Sequence, residues 1–306
     1  MDFNFTPCLQ VFSTIQDTKK HLNFLKKQGK SIGFVPTMGA LHRGHTSLLE
    51  RAKRENDIAA SSIFVNPLQF NDKKDLEKYP RTIESDIEKL KSAGCDMLFA
   101  PSADEMYPDS LKKEDRNKEN EIVFLGHLDL IMEGAHRPGH FQGVCVVVKK
   151  LFDIMEPDKA YFGEKDFQQL AVIKHMVKAL NIPVEIISCP TVREAGGLAM
   201  SSRNMLLTTE ERKNAAHIYK TLIEAKVKLE KKHHSGIPLA NHSPDELKKF
   251  VEDKINENPF LQLEYFEVVN SETLVPITDY RSPITALRAC IAVKVGNVRL
   301  IDNIPF

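Results

Sequence analysis

Across the first two thirds of the chain, short apolar runs alternate with stretches of helical spacing. The candidate strands are SIGFVPT (31–37), IAASSIFVN (58–66), CDMLFAP (95–101), KAYFG (159–163) and VEIISCP (184–190). Between them the apolar residues recur every three or four positions. In RTIESDIEKLKSAG, Ile83, Ile87 and Leu90 share a face and Gly94 supplies the stop. QLAVIKHMVKALN does the same ahead of the strand at 184. Strand–helix alternation of this kind predicts an α/β fold, a parallel sheet with helices on both faces.

After Pro190 the texture changes. TTEERKNAAHIYKTLIEAKVKLEKK (208–232) reads as one long amphipathic helix, with Thr208 and Glu211 spaced as a capping box. LRACIAVKVGNVRLIDNI reads as two strands joined at Gly296-Asn297, a hairpin signal. A boundary near residue 191 therefore divides an α/β domain at 1–190 from a smaller α+β domain at 191–306. SLKKEDRNKENEI (110–122) and KKHHSGIPLANHSP (231–244) read as surface loops inserted between elements.

Composition narrows the class. Lys+Arg and Asp+Glu balance at 42 each, so no global field advertises nucleic acid or an acidic membrane. The five cysteines (Cys8, Cys95, Cys145, Cys189, Cys290) are scattered, and none forms a C-x-x-C pair. That argues for a reducing compartment and against a disulfide scaffold or zinc knuckle. The first residues lack the plan of a secretory or transit signal, and no apolar run reaches the length of a membrane span. The expectation is a cytoplasmic protein with neither nucleic acid nor membrane as partner.

The stretch GFVPTMGALHRGHTSLLERA (33–52) takes a strand through a glycine-bearing turn into a helix. A helix N-terminus offers unpaired N–H groups and the positive end of the dipole, and glycine lets an anion approach the backbone. His42 and His45 add two imidazoles, donors that can follow charge building up on phosphate. Alone, the pair also allows ordinary turn residues or a zinc site, although no third ligand follows at suitable spacing. It is neither the P-loop pattern nor the dinucleotide fingerprint.

Four further segments carry polar groups at strand ends or turns: FVNPLQF (64–70), EGAHRPGHFQGV (133–144), YFGEKDFQQL (161–170) and TVREAGGLAMSSRNMLLT (191–208). Ligands bind at the carboxyl ends of strands in open α/β sheets. The Pro-Gly between His136 and His140 excludes a helical i,i+4 pair. Singly, Gln69, Gln169 and Lys165 also read as solvated side chains, and Ser201, Ser202 and Arg203 as a helix cap. Five such segments in one chain outweigh those separate readings.

Together, P-T-M-G-A-L-H-x-G-H, F-V-N-P-x-Q-F, Y-P-R-T, R-P-x-H-F-x-G-V, F-G-E-K-D-x-Q-Q and T-V-R-E-x-x-G-L-A-M-S-S-R-N resemble the pantoate–β-alanine ligase family, in order from about residue 31 to 207. The ending VRLIDNI resembles that family's last strand. The resemblance implies a Rossmann-like nucleotidyltransferase domain, a smaller C-terminal domain carrying the MSSR loop, and a homodimer. It implies condensation of pantoate with β-alanine at the expense of ATP, with Mg2+, through pantoyl adenylate.

The resemblance also implies residue roles. His45 matches the proton donor and His42 its partner, while Lys165 and Arg203 neutralise phosphate. The ATP site runs over Met38, Gly39, Ala40, Leu41, His42, Arg43, Gly44 and His45. It continues over Gly163, Glu164, Lys165 and Asp166, the last toward the ribose. Val192, Met200, Ser201, Ser202 and Arg203 complete it. Gln69 and Gln169 hold pantoate, and Gln69 also meets β-alanine. Val144, Val147 and Val148 read equally as core or, with Met38, as an apolar wall for pantoate. Gly196 stands where the family often has Asp, and the segments at 110–122 and 231–244 lengthen the chain beyond the usual bacterial size. Glu84 and Asp86 lie near where some members approach magnesium, but no protein metal ligand is assigned. Other readings are a related adenylating enzyme acting on a different acid, a tRNA synthetase fragment, or a non-catalytic nucleotide-binding module.

Overall fold

The computed structural model describes residues 9–71, 73–108, 123–234, 244–279 and 283–306. Cys8 and the segment at 110–122 lie outside the described residues. The elements run β1 (Gln10–Phe12), α1 (Ile15–Lys27), β2 (Ile32–Thr37), α2 (Arg43–Glu55), β3 (Ile58–Ile63), α3 (Lys73–Lys78), α4 (Ile83–Ser92), β4 (Met97–Phe99), α5 (Ala103–Met106), α6 (Met132–His136), α7 (His140–Met155), β5 (Lys159–Gly163), α8 (Phe167–Ala179), β6 (Glu185–Cys189), α9 (Thr209–His234), α10 (Pro244–Asn256), β7 (Leu261–Asn270), β8 (Leu287–Val295) and β9 (Val298–Pro305).

The chain divides into two compact units. One comprises Met1–Glu164 and Val172–Pro190, the other Lys165–Ala171 and Thr191–Phe306. The second therefore includes a short segment that the sequence reading places in the first.

The first unit holds a six-stranded sheet in the order β1-β4-β3-β2-β5-β6, every pairing parallel. Strands of such a sheet are covered on both faces, which is why they read as continuous apolar runs. Ile32, Phe34 and Val35 of β2 are fully buried, as are Met97, Leu98 and Phe99 of β4. Each such side chain contributes about 1.5–3 kcal/mol by leaving water. On one face Leu48, Leu49 and Ala52 of α2 join Val35, Leu98 and Tyr161 in a core. Arg51 of α2 reaches the Ser188 carbonyl of β6 at 2.9 Å, tying that helix to the edge strand. From β2 the chain moves through β3 to β4 on one side, while β5 and β6 lie on the other. The strand order thus reverses between β2 and β5, and in open parallel sheets ligands settle outside the carboxyl ends at that crevice.

The second unit holds the antiparallel sheet β7-β8-β9. Leu222, Ala225 and Leu229 of α9 and Val251 and Ile255 of α10 join Ile291, Val293 and Val295 of β8 in its core. The expected hairpin is present, with Val295 paired to Val298 and Gly296 at φ +56 in the turn. The capping box is reciprocal: Glu211 N–H donates to Thr208 Oγ1 at 3.2 Å and Thr208 N–H to Glu211 Oε2 at 2.8 Å. Residues 231–234, expected in a loop, continue α9. Residues 235–243 of that expected loop lie outside the described residues. Among the described residues no helix is long and apolar enough to cross a membrane.

Candidate active site

β2 ends at Thr37, and the backbone then turns through two left-handed residues, Gly39 at φ +83 and Ala40 at φ +49. Gly39 has little room for a side chain: a Cβ there would lie 3.1 Å from Ile63 Cγ2 and 3.2 Å from Asp86 Oδ2. Ala40 adopts this conformation with a Cβ, at a cost of about 1–2 kcal/mol. The surroundings hold the turn. Asp86 of α4 is fully buried and accepts the N–H of Ala40 on Oδ2 and of Leu41 on Oδ1, both at 2.8 Å. Thr82 Oγ1 donates to Oδ2 at 3.1 Å. Lys89 Nζ donates to the Leu41 carbonyl at 2.8 Å.

His42 is the N-cap of α2. Its Nδ1 accepts the Gly44 N–H at 3.1 Å, and His45 Nδ1 accepts the His42 N–H at 3.3 Å. This is a capping box built from two imidazoles in place of a hydroxyl and a carboxylate. A neutral ring accepting on Nδ1 carries its proton on Nε2, a tautomer assigned from the bonding pattern. The two rings lie 4.1 Å apart. No acidic residue sits in the first turn of α2, so the positive end of the dipole keeps its anion-attracting character. Arg43, expected at ATP, is an exposed side chain paired with Glu50, whose hydrogen bond pushes the guanidinium pKa up.

Beyond β3, Asn66 caps the short 3-10 turn Pro67–Gln69. The strand stops at Ile63, short of the expected Asn66, and the freed amide works as a hub. Asn66 Oδ1 accepts from Leu68 N at 3.2 Å and from the Tyr107 hydroxyl at 3.1 Å. Its Nδ2 donates to Gly143 O at 3.0 Å and to Gln69 Oε1 at 3.2 Å. Buried Gln69 donates through Nε2 to Met38 Sδ at 3.0 Å. His140 Nδ1 lies 2.8 Å from the Gln69 carbonyl and its Nε2 3.2 Å from Arg137 NH1. Nδ1 therefore donates to the carbonyl and Nε2 accepts from the guanidinium. Burial pushes the Tyr107 hydroxyl well above its usual range, keeping it a neutral donor. Sequence reasoning found Gln69 and Met38 but not the support from Asn66, Tyr107 and His140, whose signal was only the N-P and Pro-Gly turns around them. Val144, Val147 and Val148 are buried on α7.

The first unit thus brings Met38–His45 and Gln69 to the carboxyl ends of β2 and β3, with Gly163 ending β5. Lys165, Asp166, Gln169, Val192, Met200, Ser201, Ser202 and Arg203 belong to the second unit, and Glu164 to the first. There Lys165 is largely buried, with Nζ 3.7 Å from Asp166 Oδ1. Its carbonyl accepts from Asn303 Nδ2 at 2.9 Å. Arg288 orients Asn303 through Oδ1 at 2.8 Å, and its guanidinium lies 3.9 Å over the Phe167 ring. Gln169 is half-buried on α8.

Val192 and Met200 flank a tight turn, the Val192 carbonyl accepting Met200 N–H at 3.0 Å. Gly197 sits at φ +90, and a Cβ there would strike Tyr219 at 2.5 Å. Arg193 stacks 3.8 Å over that Tyr219 ring and grips Asp302 with both terminal nitrogens, at 2.6 and 2.9 Å. At Gly196, where the family often has Asp, a Cβ would meet only Ala216 at ordinary contact distance, 3.4 Å. Ser201 caps the following 3-10 turn by accepting Arg203 N–H at 3.3 Å. Ser202 is buried and Arg203 half-buried.

Among the described residues no group of three or more His, Cys, Asp or Glu could hold a metal ion. Asp86, in the acidic helix near the expected magnesium region, spends its carboxylate on backbone amides. Cys95 and Cys145 are buried thiols pushed up to about 12 by desolvation, unsuited to nucleophilic work.

Known proteins are similar to nearly the full length of this chain. The pantothenate synthetase of Bacteroides thetaiotaomicron is 47% identical over 97% of this chain and 99% of its own length. That of Cytophaga hutchinsonii is 49% identical over 95% and 97%. Bacterial relatives thus align over nearly their full length, so the segments at 110–122 and 231–244 do not make this chain long beside them. The crystal structure of the Thermus thermophilus pantothenate synthetase superposes with a TM-score of 0.84 at 41% identity, covering 97% of this chain and 99% of that one. A Francisella tularensis pantoate-beta-alanine ligase, solved with beta-gamma ATP and beta-alanine, gives 0.72 at 36% identity over 97% and 98%. The family model described as Pantoate-beta-alanine ligase matches residues 10–305. This chain belongs to the pantoate-beta-alanine ligase family.

Proposed function

We propose that this chain condenses pantoate with β-alanine in two steps driven by ATP. A pantoate carboxylate oxygen attacks the α-phosphorus, the bond to the β-phosphate bridging oxygen breaks, and pyrophosphate leaves. The β-alanine amine, having lost a proton, then attacks the acyl carbon. The C–N bond forms, the nitrogen gives up its second proton to solvent, the C–O bond to phosphate breaks, and AMP leaves with that electron pair.

The observation that carries the reading is the pair of imidazoles locked at the head of α2. Each uses Nδ1 on the backbone, so each neutral ring carries its donor proton on Nε2. Charge grows on phosphate oxygens during adenylation, and donors fixed beforehand lower that barrier by about 3–4 kcal/mol each. His45 and His42 take this role, with the turn from Gly39 to Gly44, its amides at Gly39 to His42 and at Gly44 already bonded within the fold, shaping the phosphate site around them. Lys165 and Arg203 neutralise phosphate, Ser201 and Ser202 donate to its oxygens, and Asp166 takes the ribose. Gln69 and Gln169 hold pantoate; amides pair with a carboxylate and hydroxyls without repelling either. Magnesium belongs with the ATP phosphates, because it keeps much of its water and takes substrate phosphate oxygens in place of an all-protein cage. The family likeness also carries a homodimer, which sedimentation checks.

The test is exchange between pyrophosphate and ATP, with D-pantoate present and β-alanine absent. Pantoate-dependent exchange, followed by AMP and pantothenate once β-alanine is added, supports the scheme. Exchange with another acid, or none from folded protein that binds ATP, overturns it.

A further inference from the structure

We infer that Asp86 is the positioning residue of the adenylation site, holding the left-handed turn that sets where His42 and His45 stand. For its catalytic part the inference rests on the proposed function above.

Two successive backbone N–H groups, those of Ala40 and Leu41, point the same way and converge on one carboxylate. Successive amides arranged like this form an anion-binding concavity. Here the concavity is filled from within by Asp86, each oxygen taking one N–H at 2.8 Å. A fully buried carboxylate is tolerated only when charge-assisted hydrogen bonds replace its water. Thr82 gives one more, at 3.1 Å. One turn further along α4, Lys89 takes the Leu41 carbonyl at 2.8 Å and stands 3.8 Å from Asp86 Oδ1.

The grip falls where the backbone most needs it. Ala40 is the left-handed residue that carries a Cβ, and such strain persists only where neighbours over-determine it. Leu41 directly precedes the N-cap His42. Fixing both polar groups of residue 41 fixes the N-cap that follows it, and through the capping box the planes of both imidazoles. A carboxylate 46 and 45 positions downstream of the two amides thereby decides the aim of the donors. It also occupies the carboxylate that an acidic helix beside a phosphate site would otherwise offer to a cation.

The experiment is Asp86→Asn in the full chain, with three readouts. An amide nitrogen then faces one of the two N–H groups. Hydrogen exchange at Ala40 and Leu41 should quicken at least about tenfold. Pantoate-dependent pyrophosphate–ATP exchange should fall about 100-fold, the scale of a misplacement near 1 Å. Aminolysis of pantoyl adenylate supplied ready-made should fall much less. Protected amides, or undiminished exchange, overturn the inference. So does a parallel fall of both half-reactions, because a merely structural residue lowers them together. If Asp86→Asn does not fold, Lys89→Met, at a part-exposed side chain, decides. It should cut adenylation about fivefold while sparing aminolysis, since it releases the Leu41 carbonyl and the cation beside Asp86 but leaves both amide bonds to the carboxylate in place. Wild-type adenylation in that variant overturns the clamp. Wild-type protein with no pantoate-dependent exchange overturns the proposed reaction instead, and the amide readout still judges the clamp.

Discussion

His45 Nδ1 accepts the backbone N–H of His42 at 3.3 Å, so the residue expected to donate a proton also closes the helix it stands on. The two jobs can be separated. His45→Ala removes both, and should lower turnover at least about 100-fold and stability by about 1 kcal/mol. Glutamine is the usual third residue of a capping box, so His45→Gln should regain the stability and not the turnover. Steady-state kinetics with thermal unfolding checks this; equal recovery of both would remove the imidazole from the chemistry.

Gln69 sits in a relay from Tyr107 through Asn66, with its own Nε2 against Met38 sulfur. Gln69→Ala should raise the KM for pantoate about 10- to 100-fold, the worth of a hydrogen bond to a charged group, and leave that for ATP within a few-fold. Asn66→Ala should move the same constant less, because it loosens Gln69 without deleting it. Initial rates at varied pantoate and varied ATP separate the two; an equal rise in both constants would place Gln69 elsewhere.

Arg193 binds Asp302 with a two-pronged grip, under a turn that leads directly to Ser201, Ser202 and Arg203. Arg193→Lys keeps the charge and loses the fork and the stacking on Tyr219. It should cost about 2 kcal/mol in unfolding and raise the KM for ATP. Denaturant titration beside ATP kinetics gives both numbers, and an unchanged unfolding midpoint would show the grip to be worth nothing.

Asp57 joins the start of β3 to the start of β2. Its carboxylate pKa falls from 3.8 to about 2, chiefly through the Ser31 backbone N–H, then the Ser31 hydroxyl and Lys30. A depressed folded-state value means that its contribution is present above about pH 4 and is lost as pH falls toward 2. Melting temperature followed from pH 5 to 2 should decline less steeply in Asp57→Asn than in the parent. Superimposable profiles would show that Asp57 titrates alike in the folded and unfolded chain, with no such shift.

The strands of the parallel sheet were legible because burial on both faces makes each an apolar run bounded by polar turns. β1 was not: three residues, two of them exposed, leave no pattern above background. Helix α7 was missed for the opposite reason. Eleven of its sixteen residues are buried, so the polar face that marks an amphipathic helix is nearly absent. At the site, the motif residues were readable one by one, and the histidine capping box was hidden only by its unusual chemistry. The Asp86 clamp was out of reach, because its partners lie 45 and 46 residues away and nothing local records the pairing. The acidic composition of α4 pointed toward a cation instead of toward the chain's own amides.

The carbonyl of Lys165 rests on an asparagine 138 positions later. A ribosome adding about 5–20 residues per second needs roughly 7–28 s to cover that span. The six-stranded sheet can therefore be complete while the lysine segment still lacks its anchor. A nascent chain with a finished sheet is not yet a chain with a fixed Lys165, and translation itself delays the moment at which the lysine is set.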